Sequence, residues 1–175
     1  MNNNELKWYI IRKDYVDYLK KFDEKVQNIE YYNTAKPYIG VVFSINDFKY
    51  YVPISSKKQK YNKMKENMDF IKIIDNKQIL SVINLNNMIP VIKEELKLLK
   101  YEEIANYFCF DDEISKQKYI RLLKKEINII NQRKDEIIKR AKKLYKLKNK
   151  FPNSSLGIRC CDFKLLEQKC LEYKK

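Results

Sequence analysis

The sequence predicts an α+β fold: a compact, twisted antiparallel sheet, barrel-like in its curl, with helices packed at one side. Three observations predict it. Residues 1–92 break into short runs of β-branched and aromatic residues, punctuated by Asn and Asp. Residues 93–175 change to longer stretches with apolar residues at helical spacing. The 175-residue chain is 45% hydrophobic, with 2 Gly and 4 Pro and no repeat or linker, so 1–175 reads as a single domain.

The run K-W-Y-I-I-R, residues 7–12, reads as the first strand. Asp14 then reads as an N-cap, with Asp17 at the third helical position. The helix over 15–22 carries Tyr15, Tyr18, Leu19 and Phe22 on one stripe. Simple core packing produces such a stripe; Tyr15, in the first turn, can also lean toward a neighbouring loop. Residues 25–36 have no period and read as a loop. Pro37 pushes Lys36 into an extended conformation, which opens a strand over 38–45. Asn46 and Asp47 turn the chain, and residues 48–54 return as the second strand of a hairpin. Pro53 marks the end of that strand, where no ladder bond is lost. Residues 55–67, S-S-K-K-Q-K-Y-N-K-M-K-E-N, form a polar, basic connector. Strands are expected at 68–74 and 79–84 around the turn Asp75, Asn76, Lys77, then a short edge segment at 88–92.

Residues 94–101 and 101–110 read as short or irregular helices. Two long amphipathic helices follow. The first, over 113–131, carries Ile114, Ile120, Leu123, Ile127 and Ile130 on one face; the second, over 133–148, carries Ile137, Ile138, Ala141, Leu144 and Tyr145. Their opposite faces hold Lys116, Lys118, Lys124, Lys139, Lys142, Lys143 and Lys146, with Glu126, Asp135 and Glu136 interrupting. A turn-rich loop at 151–157 leads to a last helix over 162–173.

Lys and Arg number 37 against 23 acids, a formal charge of +14. Such a surface attracts polyanions: RNA, DNA or an anionic membrane. An A/T-rich genome, which enriches Lys, Asn, Ile and Tyr throughout, is the plain alternative for the lysine count. The 14 Tyr and 8 Phe can build a core or stack on bases. No apolar run approaches the ~20 residues of a membrane span, and no basic helix carries exposed Trp or Phe anchors. The N-terminus M-N-N-N-E-L-K-W lacks a signal-peptide core. A cytoplasmic protein with no membrane partner is expected, its Cys109, Cys160, Cys161 and Cys170 reduced. With no C-x-x-C pair, no metal site is expected.

The chain contains 0 His, which excludes a histidine base, a Ser-His-Asp triad and His-ligated metals. There is no P-loop or G-x-G-x-x-G, so no nucleotide cofactor is expected. Acid–base chemistry falls to Lys, Tyr, Ser, Asp or Glu. Ser55, Ser56, Lys57 and Lys58 are then the leading group. Crowded ammonium groups give up protons more readily and hold phosphate oxygens as point charges. A serine hydroxyl can donate to a nonbridging oxygen or orient a nucleophile. RNA supplies its own nucleophile, the 2′-hydroxyl, so a phosphodiester suits these residues. Taken alone, their spacing favours a solvated basic loop. The hairpin adds to it, because the start of one strand lies opposite the end of the other, which sets Lys36 beside residues 55–58.

Five fragments in order carry a family resemblance: R-K-D-Y-V-D-Y-L-K-K-F-D, A-K-P-Y-I-G-V-V-F, F-K-Y-Y-V-P-I-S-S-K-K, I-N-L-N-N-M-I-P-V and C-D-F-K-L-L-E-Q-K. Together the chain resembles the ToxN/AbiQ endoribonuclease toxins of type III toxin–antitoxin systems, over nearly its whole length. The resemblance implies a fold similar to the MazF/Kid/CcdB toxins. It implies metal-independent RNA cleavage leaving a 2′,3′-cyclic phosphate and a 5′-hydroxyl, with no cofactor. It implies an antitoxin RNA of tandem repeats, cut by the toxin into pseudoknots that close with it into a ring-like hetero-oligomer. Active-site roles fall by the resemblance on Tyr15, Lys36, Ser55, Ser56 and Lys58, with Ser56 most tied to activity. Where the family often has Thr-Ser and then Pro, this chain has Ser55-Ser56 and then Lys57, so Lys57 can share the role of Lys58. The RNA groove is expected to use Lys57, Lys60, Lys63, Lys116, Lys118, Lys124, Lys139, Lys142 and Lys146. The rival reading is a non-catalytic RNA-binding protein using the same groove.

Overall fold

The computed structural model describes residues 5–28, 30–31, 34–35 and 37–173. Its strands are β1 (Lys7–Ile11), β2 (Glu30–Tyr31), β3 (Thr34–Ala35), β4 (Tyr38–Ile45), β5 (Phe48–Ser56), β6 (Phe70–Asp75), β7 (Gln78–Asn84), β8 (Ile89–Pro90) and β9 (Leu96–Leu98). Its helices are α1 (Lys13–Lys20), α2 (Lys60–Lys63), α3 (Glu113–Gln132), α4 (Lys134–Lys150), α5 (Ser155–Arg159) and α6 (Phe163–Glu172). The α+β expectation holds, with the long helices in the second half.

The main sheet runs β6-β7-β5-β4-β1-β9, with β8 beside β5 and every pairing antiparallel. The sheet is open: β6 and β9 are its edges and do not pair, so the barrel-like curl does not reach closure. β9 has only three residues, and α3 packs against β6 and β7. β2 and β3 form a separate ribbon.

The expected hairpin is β4–β5. Asn46 and Asp47 turn with φ of 45° and 68°, left-handed values that match the strand twist and that Asn and Asp tolerate. The register pairs Ile45 with Phe48 and Tyr38 with Pro53. Near its middle, Gly40 is obligatory by space: a Cβ there would fall 2.3 Å from Tyr51 Cδ1.

Pro53 does not end β5, which continues to Ser56. On one edge Ile54 N donates to Pro37 O at 3.3 Å. Neighbouring backbone groups alternate in direction, so the nitrogen of Pro53 faces the other edge. There β5 passes from β8, opposite Tyr50 and Tyr51, to β7, opposite Ile54, Ser55 and Ser56. The proline sits in the gap between partners, and the missing N–H costs no ladder bond.

Two further expectations are corrected. Asp14 is not the N-cap of α1, which begins at Lys13 with Arg12 as cap and no side-chain cap bond. Asp14 instead faces the guanidinium of Arg12 at 3.6 Å. Residues 94–101 are not a helix: after a 3-10 turn at Lys93–Glu95 they form β9, with Leu98 opposite Tyr9 and Leu96 opposite Ile11. The buried Glu95 carboxylate, 3.3 Å from Arg12 Nε, anchors that turn.

Polar groups pin the helices to the sheet. Trp8 Nε1 donates to Leu123 O at 3.1 Å, and Asn131 bonds both backbone groups of Leu6. Buried Glu167 accepts from Tyr50 at 2.9 Å and Tyr145 at 2.6 Å, joining β5, α4 and α6. At the α3–α4 corner, Arg133 donates to both oxygens of Glu66, to Glu136 and to Lys72 O. Arg140 adds a bond to Asn67 O at 2.7 Å. The far end of the basic connector is thereby tied to the helices.

Candidate active site

Strand alternation decides where the two serines point. Ser55 pairs with Val82 and is buried, at 6% exposure. Ser56 pairs with Ser81 on the opposite face and is exposed at the strand end. Both are strand residues, where the sequence suggested a loop. Their backbones are therefore held by the β7 ladder.

Asn84, two residues beyond Val82, is the diagonal neighbour of Ser55 on its face. Its Nδ2 donates to Ser55 Oγ at 2.9 Å. Lys57 and Lys58 follow directly and are exposed. Lys58 O accepts from Tyr61 N at 3.0 Å, which starts α2. Tyr61 is buried in a small cluster with Phe70 and Val82, its ring 5.4 Å from that of Phe70. That anchor seats Lys60 and Lys63 as an exposed basic turn beside the serines. Lys60 Nζ lies 5.5 Å from the Tyr61 ring centroid.

Lys36 lies outside the described residues. The hairpin register that motivated it is observed, since Pro37 O meets Ile54 N.

Tyr15 is not brought to the serines. It is fully buried, with its hydroxyl donating to Pro90 O at 2.8 Å and its ring 5.0 Å from that of Tyr173. Burial, then nearby Cys170, raises its pKa well above the ordinary tyrosine value, so the phenol stays protonated. Its helical stripe faces the core, and the first-turn position does not free it.

The helix lysines form a second, separate surface. Ile137, Ala141, Leu144 and Tyr145 bury one face of α4, which packs on β4. Lys139, Lys142, Lys143 and Lys146 occupy the opposite face and line an open depression with Asp135 and Ile138. They point away from the sheet that carries the serines. Lys116 pairs with Glu113 at 3.0 Å, Lys124 lies over the Tyr101 ring at 5.2 Å, and Lys118 is exposed.

Sequence reasoning missed Asn84 and two groups beyond Ser56. Ser81, opposite Ser56, is buried, and among the described residues its Oγ has no well-formed hydrogen bond. Beside it lies Glu126 of α3, buried at 3% exposure. Burial pushes the Glu126 carboxyl up to about 7, with the Ser81 hydroxyl opposing the shift. The signal was present: Glu126 is three residues after Leu123 and four before Ile130, on the apolar stripe. Among the described residues, no three Cys, Asp or Glu side chains gather as a metal site would need.

A family model for toxin ToxN of type III toxin–antitoxin systems matches residues 7–171. The chain belongs to the ToxN toxin family. Endoribonuclease ToxN of Pectobacterium atrosepticum is 33% identical over 178 residues, covering 97% of this chain and 95% of its own. A solved type III toxin structure, from work on selective toxin inhibition by a non-coding RNA pseudoknot, superposes with a TM-score of 0.79. It is 30% identical and covers 98% of this chain and 99% of its own. The structure of AbiQ, a lactococcal anti-phage endoribonuclease of the type III class, superposes with a TM-score of 0.82. Its identity is 26%, with 97% of this chain and 98% of its own covered. The open seven-stranded sheet with its C-terminal helices is thus a ToxN-family fold.

Proposed function

We propose that this ToxN-family chain cuts RNA sequence-selectively, through the RNA's own 2′-hydroxyl and without a metal ion. Its standing as an endoribonuclease toxin of a type III system follows from the family. The finer chemistry rests on one observation. A buried hydroxyl held by Asn84 and an exposed hydroxyl end a central strand that runs directly into two exposed lysines.

In-line attack forms the 2′-oxygen–phosphorus bond and breaks the bond to the 5′-oxygen. The 2′-proton goes to a base, and the leaving oxygen takes a proton. Ser56 orients the 2′-hydroxyl and Ser55 supports it. Lys58, with Lys57, neutralises charge building on the nonbridging oxygens, and Lys36 is the further cation that the resemblance assigns to the reaction. Tyr15 acts from beneath, bracing Pro90 where β8 pairs with β5. The products are a 2′,3′-cyclic phosphate and a 5′-hydroxyl.

The antitoxin is a small tandem-repeat RNA, cut by the toxin into pseudoknots that bind the basic surfaces and close with it into a ring-like assembly. The solved neighbour inhibited by an RNA pseudoknot supports this partner. Cellular RNA in the cytoplasm is the target, and phage defence is the setting that the AbiQ neighbour supports.

The test uses purified protein and a mixed RNA in EDTA, with both ends of each cut mapped. Cuts with cyclic-phosphate ends that vanish in Ser56→Ala are expected. Intact RNA in the parent reaction, or equal cutting by Ser56→Ala, overturns the reading in favour of a plain RNA binder.

A further inference from the structure

We infer that Asn84 sets the polarity of the Ser55 hydroxyl, turning it into a dedicated donor to the substrate; this rests on the nuclease reading above. A serine hydroxyl carries one hydrogen and two acceptor lone pairs. Asn84 Nδ2 fills an acceptor site of Ser55 Oγ at 2.9 Å. Among the described residues, Ser55 donates to no acceptor. Its hydrogen is left for an incoming group.

The surroundings fix this arrangement. Ser55 is 6% exposed and held by the β7 ladder opposite Val82. Asn84 is held opposite Phe70 in the β6–β7 pairing. The two side chains face each other from a diagonal position in a rigid sheet, so Oγ stays within reach of the amide and the hydroxyl hydrogen is kept off that side. Beside an RNA phosphate, the useful polarity is that of a donor, because nonbridging oxygens only accept. An acceptor at position 84 would capture the hydroxyl hydrogen and turn the lone pairs toward the phosphate. Asn84 is a positioning residue: it acts on substrate through Ser55.

The experiment separates donor from acceptor at position 84. Single-turnover RNA cleavage is measured across pH for the parent, Asn84→Asp, Asn84→Ala, Ser55→Ala and the Ser55→Ala/Asn84→Ala double variant. Thermal unfolding serves as the fold check. Asn84→Asp is expected to lose about tenfold or more at neutral pH. It should approach the parent again as pH falls toward the ordinary aspartate range near ~4, where the acid regains a hydrogen to donate. Asn84→Ala should lose less than Asn84→Asp, and adding it to Ser55→Ala should cost nothing further. A folded Asn84→Asp that tracks the parent at every pH overturns the inference, as does full additivity of the two alanine changes. Should Asn84→Asp fail to fold, the alanine cycle alone decides. A parent that cuts no RNA is a different result: it overturns the nuclease reading itself.

Discussion

Glu126 is a carboxylate buried without a cationic partner among the described residues. Among the described residues, five carboxylates are buried: Asp23, Asp69, Glu95, Glu126 and Glu167. The other four meet Lys25, Arg159, Arg12 and Lys164 respectively. Glu126 meets the Ser81 hydroxyl, and burial holds its pKa up at about 7. A carboxyl raised on folding contributes stability that is complete below its unfolded value near ~4.3 and is lost as pH rises through the folded one. Unfolding midpoints should therefore fall between about pH 5 and about pH 8 in the parent. Glu126→Gln should flatten that slope and gain on the order of 2 kcal/mol at the alkaline end. A parallel slope in the variant would place the titration elsewhere. Tyr15 teaches the converse. Its membership of an apolar stripe was legible, and that stripe decides its burial; the resemblance implies an active-site role, whereas its hydroxyl is committed to Pro90 in the core.

At the scale of elements, local signals carried far and then failed for a nameable reason. The β4–β5 hairpin was readable because Asn46–Asp47 and its flanking runs are a local signal. β9 was not, because Leu96 and Leu98 read equally as helix until Ile11 and Tyr9 pair with them from the other end of the chain. Pro53 misled for the same reason: only the exchange of β8 for β7 along one edge makes room for it. The serine pair stands out in the sequence as two hydroxyls beside lysines, whereas Asn84 does not, since its meeting with Ser55 needs the β5–β7 register. The β6–β7 turn offers a direct test. Lys77 sits there at φ 64°, a left-handed conformation that costs a lysine what glycine avoids. Lys77→Gly is expected to raise stability by up to ~1 kcal/mol in denaturant unfolding. A loss of stability would mean the Lys77 side chain contributes more than its backbone costs.

For the whole molecule, two groups of exposed lysines stand apart on different elements. Lys57, Lys58, Lys60 and Lys63 adjoin the serines, while Lys139, Lys142, Lys143 and Lys146 face outward from α4. Removing the α4 group by Lys139→Ala, Lys142→Ala and Lys146→Ala should weaken RNA binding. The salt slope should fall by ~0.7 for each phosphate that is no longer neutralised. Cleavage of saturating RNA should then stay within about twofold, since every group at the reacting phosphate is still in place. Lys57→Ala with Lys58→Ala should instead slow the saturated rate. Equal effects of both sets on rate and affinity would show a single continuous surface.

The Arg133 corner has a consequence for that division. The basic connector leaves the sheet at Ser56 and is caught again at Glu66 by Arg133, with Tyr61 seated between. It is thus a short arc fixed at both ends and in the middle. A free arm of lysines would lose its conformational freedom on meeting a polyanion, at ~1–2 kcal/mol per backbone residue ordered. Here folding has already removed that freedom, so on the proposed function the lysines would meet an RNA's phosphates as a surface and leave the binding energy for aligning the scissile bond.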